Sequence, residues 1–344
     1  MEVKRTPTDF GKCVTRFLTS HLPGERNLSP LTIKSYSFVL KMFIEYLDCS
    51  VGIKPERIVL KDITVDTVKK FLASIDEDGS ISPNTHNQRL SALKTFVRYA
   101  ILEHPAFILE GQRMLAIPSK RSSEHEIVYL EKDAMKALLA IPDQSDVRGR
   151  RDLAIMALLY DTGARIQELI NLKLKDVRLA NPETVTLFGK GRKMRTVPIM
   201  TETAKILESY MRDKVFGEHL ACGDLQLFNS ANRAQFTRPG IAKILKRHFA
   251  VAKKLNPLVL FPENIHPHAL RASKAIHLLE SGVNLIAIRD FLGHTSVSTT
   301  QAYLRINSQA KRDAIVRAYP SLTESLPEWR ENSDLISLLK ELCS

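Results

Sequence analysis

Between residues 266 and 305 the chain reads HPHALRASKAIHLLESGVNLIAIRDFLGHTSVSTTQAYLR. Its reactive side chains come at the ends of short apolar-periodic segments: His268 with Arg271, then Gly293-His294-Thr295, then one tyrosine, Tyr303. Upstream, Arg165 follows a Thr162-Gly163 turn with Glu168 three residues on, and Lys190 stands in a Gly189-Lys190-Gly191 turn. Two arginines, a lysine, two histidines and a phenol, if they converge, can work on a phosphodiester. Guanidinium forks grip the non-bridging oxygens bidentately and stay charged. A phenol is a weak nucleophile at neutral pH, with an ordinary pKa of about 10. Nearby cations lower that value, and a histidine can take the proton. A lysine can protonate the leaving oxygen. Fixed cations stabilise the developing charge, so no metal and no cofactor is expected.

These groups need helices and turns to bring them together. Ala272, Ala275, Ile276 and Leu279 share one helical face, as do Leu285, Ile288, Phe291 and Leu292 in the next segment. Asn284 and Ser298 read as caps, and Gly282 and Gly293 as stops. His277 falls on the apolar face and reads as a core residue. Residues 148–161 predict a helix that ends in the Tyr160-Asp161-Thr162-Gly163 turn. Residues 184–188 alternate in strand fashion, a turn spans 189–193, and 195–199 resume, which predicts a β-hairpin carrying Lys190, Arg192 and Lys193. Lys193 is the competing candidate for the role of Lys190. Residues 240–255 predict a helix with Ile241, Ile244, Leu245 and Phe249 inward and Lys243 and Arg247 outward.

The first third of the chain reads as helical. Segments opened by Ser29-Pro30 and Ser82-Pro83 carry apolar stripes, with a shorter helix over 64–75 between them. Polar groups crowd the starts of the two longer helices: Lys34 in one, and Asn84, Thr85, His86 and Arg89 in the other. Amides, hydroxyls and cations at a helix start suit phosphates and base edges, and equally a solvated face. The segment PSKRSSEHE, basic at Lys120 and Arg121, lacks periodicity and reads as a linker. The expected organisation is a helical bundle over 1–118, a linker over 119–126, a second domain over 127–320 and a tail over 321–344. That tail places Leu335, Leu338, Leu339 and Leu342 on one stripe, which must dock somewhere.

In order and spacing, five motifs resemble those of the tyrosine recombinase, or phage-integrase-type, family: Thr162-Gly163-Ala164-Arg165 with Glu168, Gly189-Lys190-Gly191, His268-Ala269-Leu270-Arg271, Leu292-Gly293-His294, and Ser298-Thr299-Thr300-Gln301-Ala302-Tyr303. The resemblance covers residues 127–318. It implies a mainly α fold with a small β-sheet, a SAM-like core-binding bundle followed by an α/β catalytic domain. It implies that Arg165 and Arg271 clamp the scissile phosphate, that Lys190 is the general acid, and that His268 assists proton transfer. His294 would support phosphate and nucleophile, Tyr303 would form a 3′-phosphotyrosine, and Glu168 would help hold the site together. Double-stranded recombination sites would be bound by a homotetramer, with the C-terminal helix docked on a neighbouring protomer and accessory proteins an option. Ala272 stands where many members carry histidine. The bundle begins at once, so the expectation is a simple two-domain member without an arm-binding domain. Tyr319, beside Pro320, is a rival nucleophile and is expected to be structural. The alternatives are a DNA-relaxing type IB topoisomerase with the same chemistry and an inactive DNA-binding regulator.

Composition fits a nucleic-acid partner: 344 residues, a formal net charge of +12 and 26% charged residues. No apolar run has the length of a membrane span, and no signal-peptide core opens the chain. Cys13, Cys49, Cys222 and Cys343 lie far apart and read as reduced thiols, the expectation for a cytoplasmic protein.

Overall fold

A serine followed by a proline starts two of the longest helices. Ser29 accepts a hydrogen bond from the Thr32 amide at the head of α2 (Pro30–Tyr46), and Ser82 does the same for Thr85 at the head of α4 (Pro83–Glu103). In each, proline fills the first turn, where its missing N–H costs nothing and its fixed φ suits the helix. The computed structural model describes residues 6–76, 81–121, 127–189, 193–212, 224–230 and 234–294, together with 296, 300, 301 and 303. The chain divides into two compact units, Met1–His125 and Glu126–Ser344.

In the first unit, α1 (Asp9–Arg16) runs on in wider π-type turns through Phe17–Glu25, and α3 (Val65–Ser74) and α5 (Ile108–Leu115) complete the bundle. Phe10, Phe17, Phe43, Phe71 and Phe96 are each at most 3% exposed and form its centre. Phe17 meets Phe96 edge-on at 5.4 Å between ring centroids, the geometry favoured by aromatic quadrupoles. Two side chains of α4 hold the segment after α5. Lys94 Nζ donates to the Ile117 carbonyl, and Asn87 exchanges two 2.8 Å hydrogen bonds with the backbone of Lys120.

The second unit is built around α7 (Val147–Thr162), whose residues 153–159 are all buried. It packs against α9 (Thr201–Met211) and α11 (Pro267–Glu280). Around these lie α6 (Lys132–Leu139), the short α8 (Ile166–Ile170), α10 (Arg238–Leu255) and α12 (Leu285–Leu292). Strands β1 (Val177–Arg178), β2 (Thr184–Phe188) and β3 (Met194–Pro198) make one antiparallel meander. In its register Val185 faces Val197 and Leu187 faces Arg195, so these residues share the inward face. The expected mainly helical chain with a small sheet is what the structure shows. No helix among the described residues is long and apolar enough to cross a membrane.

His277 is a core residue, 5% exposed, and its Nδ1 lies 2.8 Å from the Tyr160 hydroxyl. Burial first, then the cations Lys132 and Lys274, push its pKa down to about 4. The unfolded chain therefore binds a proton there at a pH where the native state does not. Stability is lost as pH falls below the ordinary histidine value of about 6.5. Between pH 7 and pH 5 this one group should cost about 2 kcal/mol. His277→Gln keeps a partner for the Tyr160 hydroxyl and removes the titration. Urea unfolding at the two pH values should show a smaller acid loss in the variant, and an equal loss would refute the assignment.

Candidate active site

Glu168 organises the site. Its side chain is 3% exposed and accepts four bonds: from the Arg165 amide (2.9 Å), Arg165 Nη1 (2.8 Å), Arg195 Nη1 (3.0 Å) and Arg195 Nη2 (2.7 Å). Burial alone would raise its pKa. The Arg195 hydrogen bonds, then the Arg165 amide, outweigh burial and hold it below the usual carboxylate range. The amide bond also caps α8, whose third residue is this glutamate.

Arg271 is 1% exposed. Its Nη1 donates to the Gly163 carbonyl at 2.6 Å and its Nη2 to the Leu292 carbonyl at 2.7 Å, while Arg165 Nη2 donates to the Gly293 carbonyl at 3.1 Å. Two arginines thus close the C-terminal ends of α7 and α12, where a cation meets the negative end of the helix dipole. Both ends need glycine. Gly163 and Gly293 have φ of +57° and +65°, and a Cβ on Gly163 would lie 2.6 Å from Leu292 Cδ2.

The cluster is short of negative charge. Burial, Arg165 and Arg195 push the pKa of Arg271 down to about 10, so it remains charged at neutral pH. Among the described residues one carboxylate, Glu168, stands against the three guanidiniums. Burial first, then Arg271 and Arg165, lowers His294 to about 4. His268 is also lowered, by desolvation and then by Arg271, although solvent reaches its ring. His294 is therefore neutral at pH 7, and the neutral form of His268 is favoured. Arg165, Arg195 and Arg271 minus Glu168 leave a net charge of two positive units, the complement of a phosphodiester and the charge it develops under attack.

Tyr303 is 3% exposed and packs with Ala272, Ala275, Ile276, Ile288 and Leu292 between α11 and α12. Burial raises its pKa, and Arg271 followed by Arg165 pulls it down, without reversing the rise. The His294 ring lies 6.4 Å from the phenol ring, and its Nδ1 is 2.9 Å from the hydroxyl of Thr300, a fully buried residue. Beside Arg165 and His268 a groove of about 560 Å³ runs past Gln167, His266, Arg238 and Ala242 at the start of α10. Arg238 Nε donates to Gln167 Oε1 at 2.9 Å.

Of the residues singled out in the sequence, Arg165, Glu168, His268, Arg271, His294 and Tyr303 come together. Lys190 and Arg192 lie outside the described residues, as do Ser298 and the tail stripe. The neighbouring Gly189 is described, and a Cβ on it would be 3.2 Å from Glu168 Oε1 and 3.8 Å from Arg165 Nη1. Lys34, Asn84, Lys120, Arg121, Lys193 and Lys243 are exposed, and Thr85 and Arg89 are half-buried. Lys120 is also paired with Asp76. One expectation is corrected. His86 is 6% exposed and faces inward, because it falls in the same helical register as buried Leu90, Leu93 and Val97. Arg247 faces outward as expected, its side chain 61% exposed, and is paired with Asp152, a fully buried carboxylate that also binds Arg151 and His248. Arg195 was missed in the sequence. The signal was present: strand alternation puts it on the face of Val197, and a charge at an inward position needs a partner.

The phage integrase family matches residues 128–310, and its N-terminal SAM-like domain matches residues 14–104. The putative integrase/recombinase y4rC of Sinorhizobium fredii is 31% identical over 326 residues, 95% of this chain and 96% of the relative. Tyrosine recombinase XerD of Listeria monocytogenes serotype 4b is 31% identical over 300 residues, 86% of this chain and 95% of the relative. Among solved structures, the XerH site-specific recombinase bound to palindromic difH substrate shares the fold, with a TM-score of 0.65 at 22% identity over 90% of this chain and 89% of that one. With the family's sequence match spanning more than half its length and the arginine, histidine and tyrosine motifs gathered at one site, this chain belongs to the phage integrase family of tyrosine recombinases, enzymes that cut and rejoin DNA.

Proposed function

We propose that this protein is a site-specific recombinase that breaks DNA by attack of Tyr303 on a phosphate gripped by Arg165 and Arg271. The phenol oxygen bonds to phosphorus and the bond to the 5′ oxygen breaks. The phenol proton passes to a neutral histidine, His268 or His294, and the leaving 5′ oxygen takes a proton from Lys190. The products are a 3′-phosphotyrosine and a free 5′-hydroxyl. The ester conserves the energy of the original linkage, so a 5′-hydroxyl from a second duplex can reverse the step without ATP. The observation that carries this reading is the surplus of two positive charges around a buried phenol. In the free protein that phenol is sheltered, so attack requires Tyr303 to move towards the bound phosphate.

Exchange between two duplexes needs two cleavages on each, which four protomers supply. The reading puts this activity in the cytoplasm, together with the DNA it acts on. The exposed Lys34, Asn84, Lys193 and Lys243 would contact the backbone, with salt-dependent affinity. We assign the apolar stripe near the C-terminus to docking between neighbouring protomers. A nicked substrate that loses the 5′ fragment on cleavage should trap a covalent protein–DNA adduct. Deleting residues 333–344 should leave binding to a single half-site within about threefold and reduce the paired-site complex at least about tenfold. Unchanged recombination by the truncated chain would reject the docking role.

A further inference from the structure

We propose that Arg195 is a positioning residue for cleavage: acting through Glu168, it fixes the β2–β3 hairpin against Arg165 and the turn that carries His294. The inference rests on the reading of the hairpin as the carrier of the leaving-group acid, and it adds a residue to which no role has been given.

Arg195 occupies an inward strand position opposite Leu187. Its side chain is 13% exposed, and two of its nitrogens are spent on the two oxygens of Glu168. Its Nε is buried and has no hydrogen-bond partner among the described residues. A buried ion pair is a poor device for stability, since apolar side chains of similar volume commonly do as well or better. Its geometry points elsewhere. A Cβ on Gly293 would lie 3.1 Å from Arg195 Nη1 and 3.2 Å from Cδ, so the turn before His294 rests directly on this guanidinium. On the other side, Gly189 sits against Glu168 Oε1, and its amide closes the hairpin onto the Lys193 carbonyl at 2.8 Å. The Arg195–Glu168–Arg165 ion pairs are therefore flanked by two glycine turns. One leads into Lys190 and the other into His294. At each glycine an added Cβ would make the neighbouring charged side chain give way by a few tenths of an ångström. Arg195 touches no reacting atom in this scheme; it sets the distance between the phosphate-binding arginine and the arm that delivers the proton.

The test uses the full-length protein and nicked duplexes with either a normal 5′ oxygen or a 5′-bridging sulfur, which leaves without needing a proton. Arg195→Met keeps the length of the side chain and removes the fork. It should bind a half-site within about threefold of the parent and cleave the normal substrate about 100-fold more slowly. The sulfur substrate should return it to within about tenfold of the parent, as it should for Lys190→Ala. Arg195→Lys, which keeps the charge but cannot span both carboxylate oxygens, should fall between. Wild-type cleavage by Arg195→Met, or a defect equal on both substrates, overturns the inference. Failure of the sulfur substrate to relieve Lys190→Ala strikes the acid reading of that lysine instead. Should Arg195→Met be poorly folded, adding Glu168→Gln removes the stranded carboxylate. If the two residues act as one unit, that double variant is no slower than the slower single, and additive defects overturn the inference.

Discussion

Tyr303→Phe should form no covalent adduct with a nicked recombination substrate, a loss on the order of 10^5-fold, as expected when the nucleophile of a cooperating set is removed. The substitution deletes one oxygen and keeps the ring. That ring packs among Ala272, Ala275, Ile276, Ile288 and Leu292, so its volume and apolar contacts survive. The deleted hydroxyl loses a hydrogen bond with Arg271, which keeps its bonds to the two backbone carbonyls. The variant should therefore unfold within about 1 kcal/mol of the parent and bind DNA as tightly. Denaturing gel electrophoresis after incubation with the nicked substrate reads the adduct directly. An adduct that persists in Tyr303→Phe would move the nucleophile to another hydroxyl, Tyr319 first.

Arg271→Ala should be the most damaging of the arginine substitutions, to folding as well as to chemistry. The buried guanidinium bonds the carbonyls of Gly163 and Leu292 and so joins α7 to α12. Without it two carbonyls lose their partners inside the protein, which should cost about 3–5 kcal/mol. Arg271 is also the first influence holding down the pKa of Tyr303, so its loss raises that pKa further and makes the phenolate scarcer at every pH. Removing one preorganised donor to the developing charge costs about 10^2–10^3 in rate. Added to the rise in Tyr303, the expected fall in cleavage is at least about 10^3-fold. Arg271→Lys keeps a charge but offers no fork for two carbonyls, and it should recover more stability than activity. Thermal melts and single-turnover cleavage on the same samples separate the two effects. Cleavage by Arg271→Ala within tenfold of the parent would remove this arginine from the phosphate site.

Much of the architecture was legible because it is written in local signals. Ser29-Pro30, Thr64, Ser82-Pro83 and Asn284 each open a helix, and Gly282 and Gly293 take positive φ where the periodic segments stop. Alternation over 184–188 and a glycine-flanked turn announced the hairpin. The same local rules placed Arg165 at a helix start with Glu168 one turn on, within reach of its backbone amide. Where several polar residues crowd one helix start, composition does not say which face each takes. His86 is the example: only its register with Leu90, Leu93 and Val97, once they are packed, turns it inward.

What the sequence alone determined, then, is the set of chemical groups, the turns and helix ends that carry them, and the faces that must be buried. These depend on residues a turn or two apart, within which backbone geometry dictates neighbours. Only the tertiary structure decided the contacts made across the chain: Arg195 with Glu168 over 27 residues, Arg271 with Gly163 over 108, and Arg247 with Asp152 over 95. It also decided that Tyr303 is covered in the free protein. Such pairings follow from how helices and sheet pack in three dimensions, and no periodicity along the chain encodes which distant carboxylate a given guanidinium will meet.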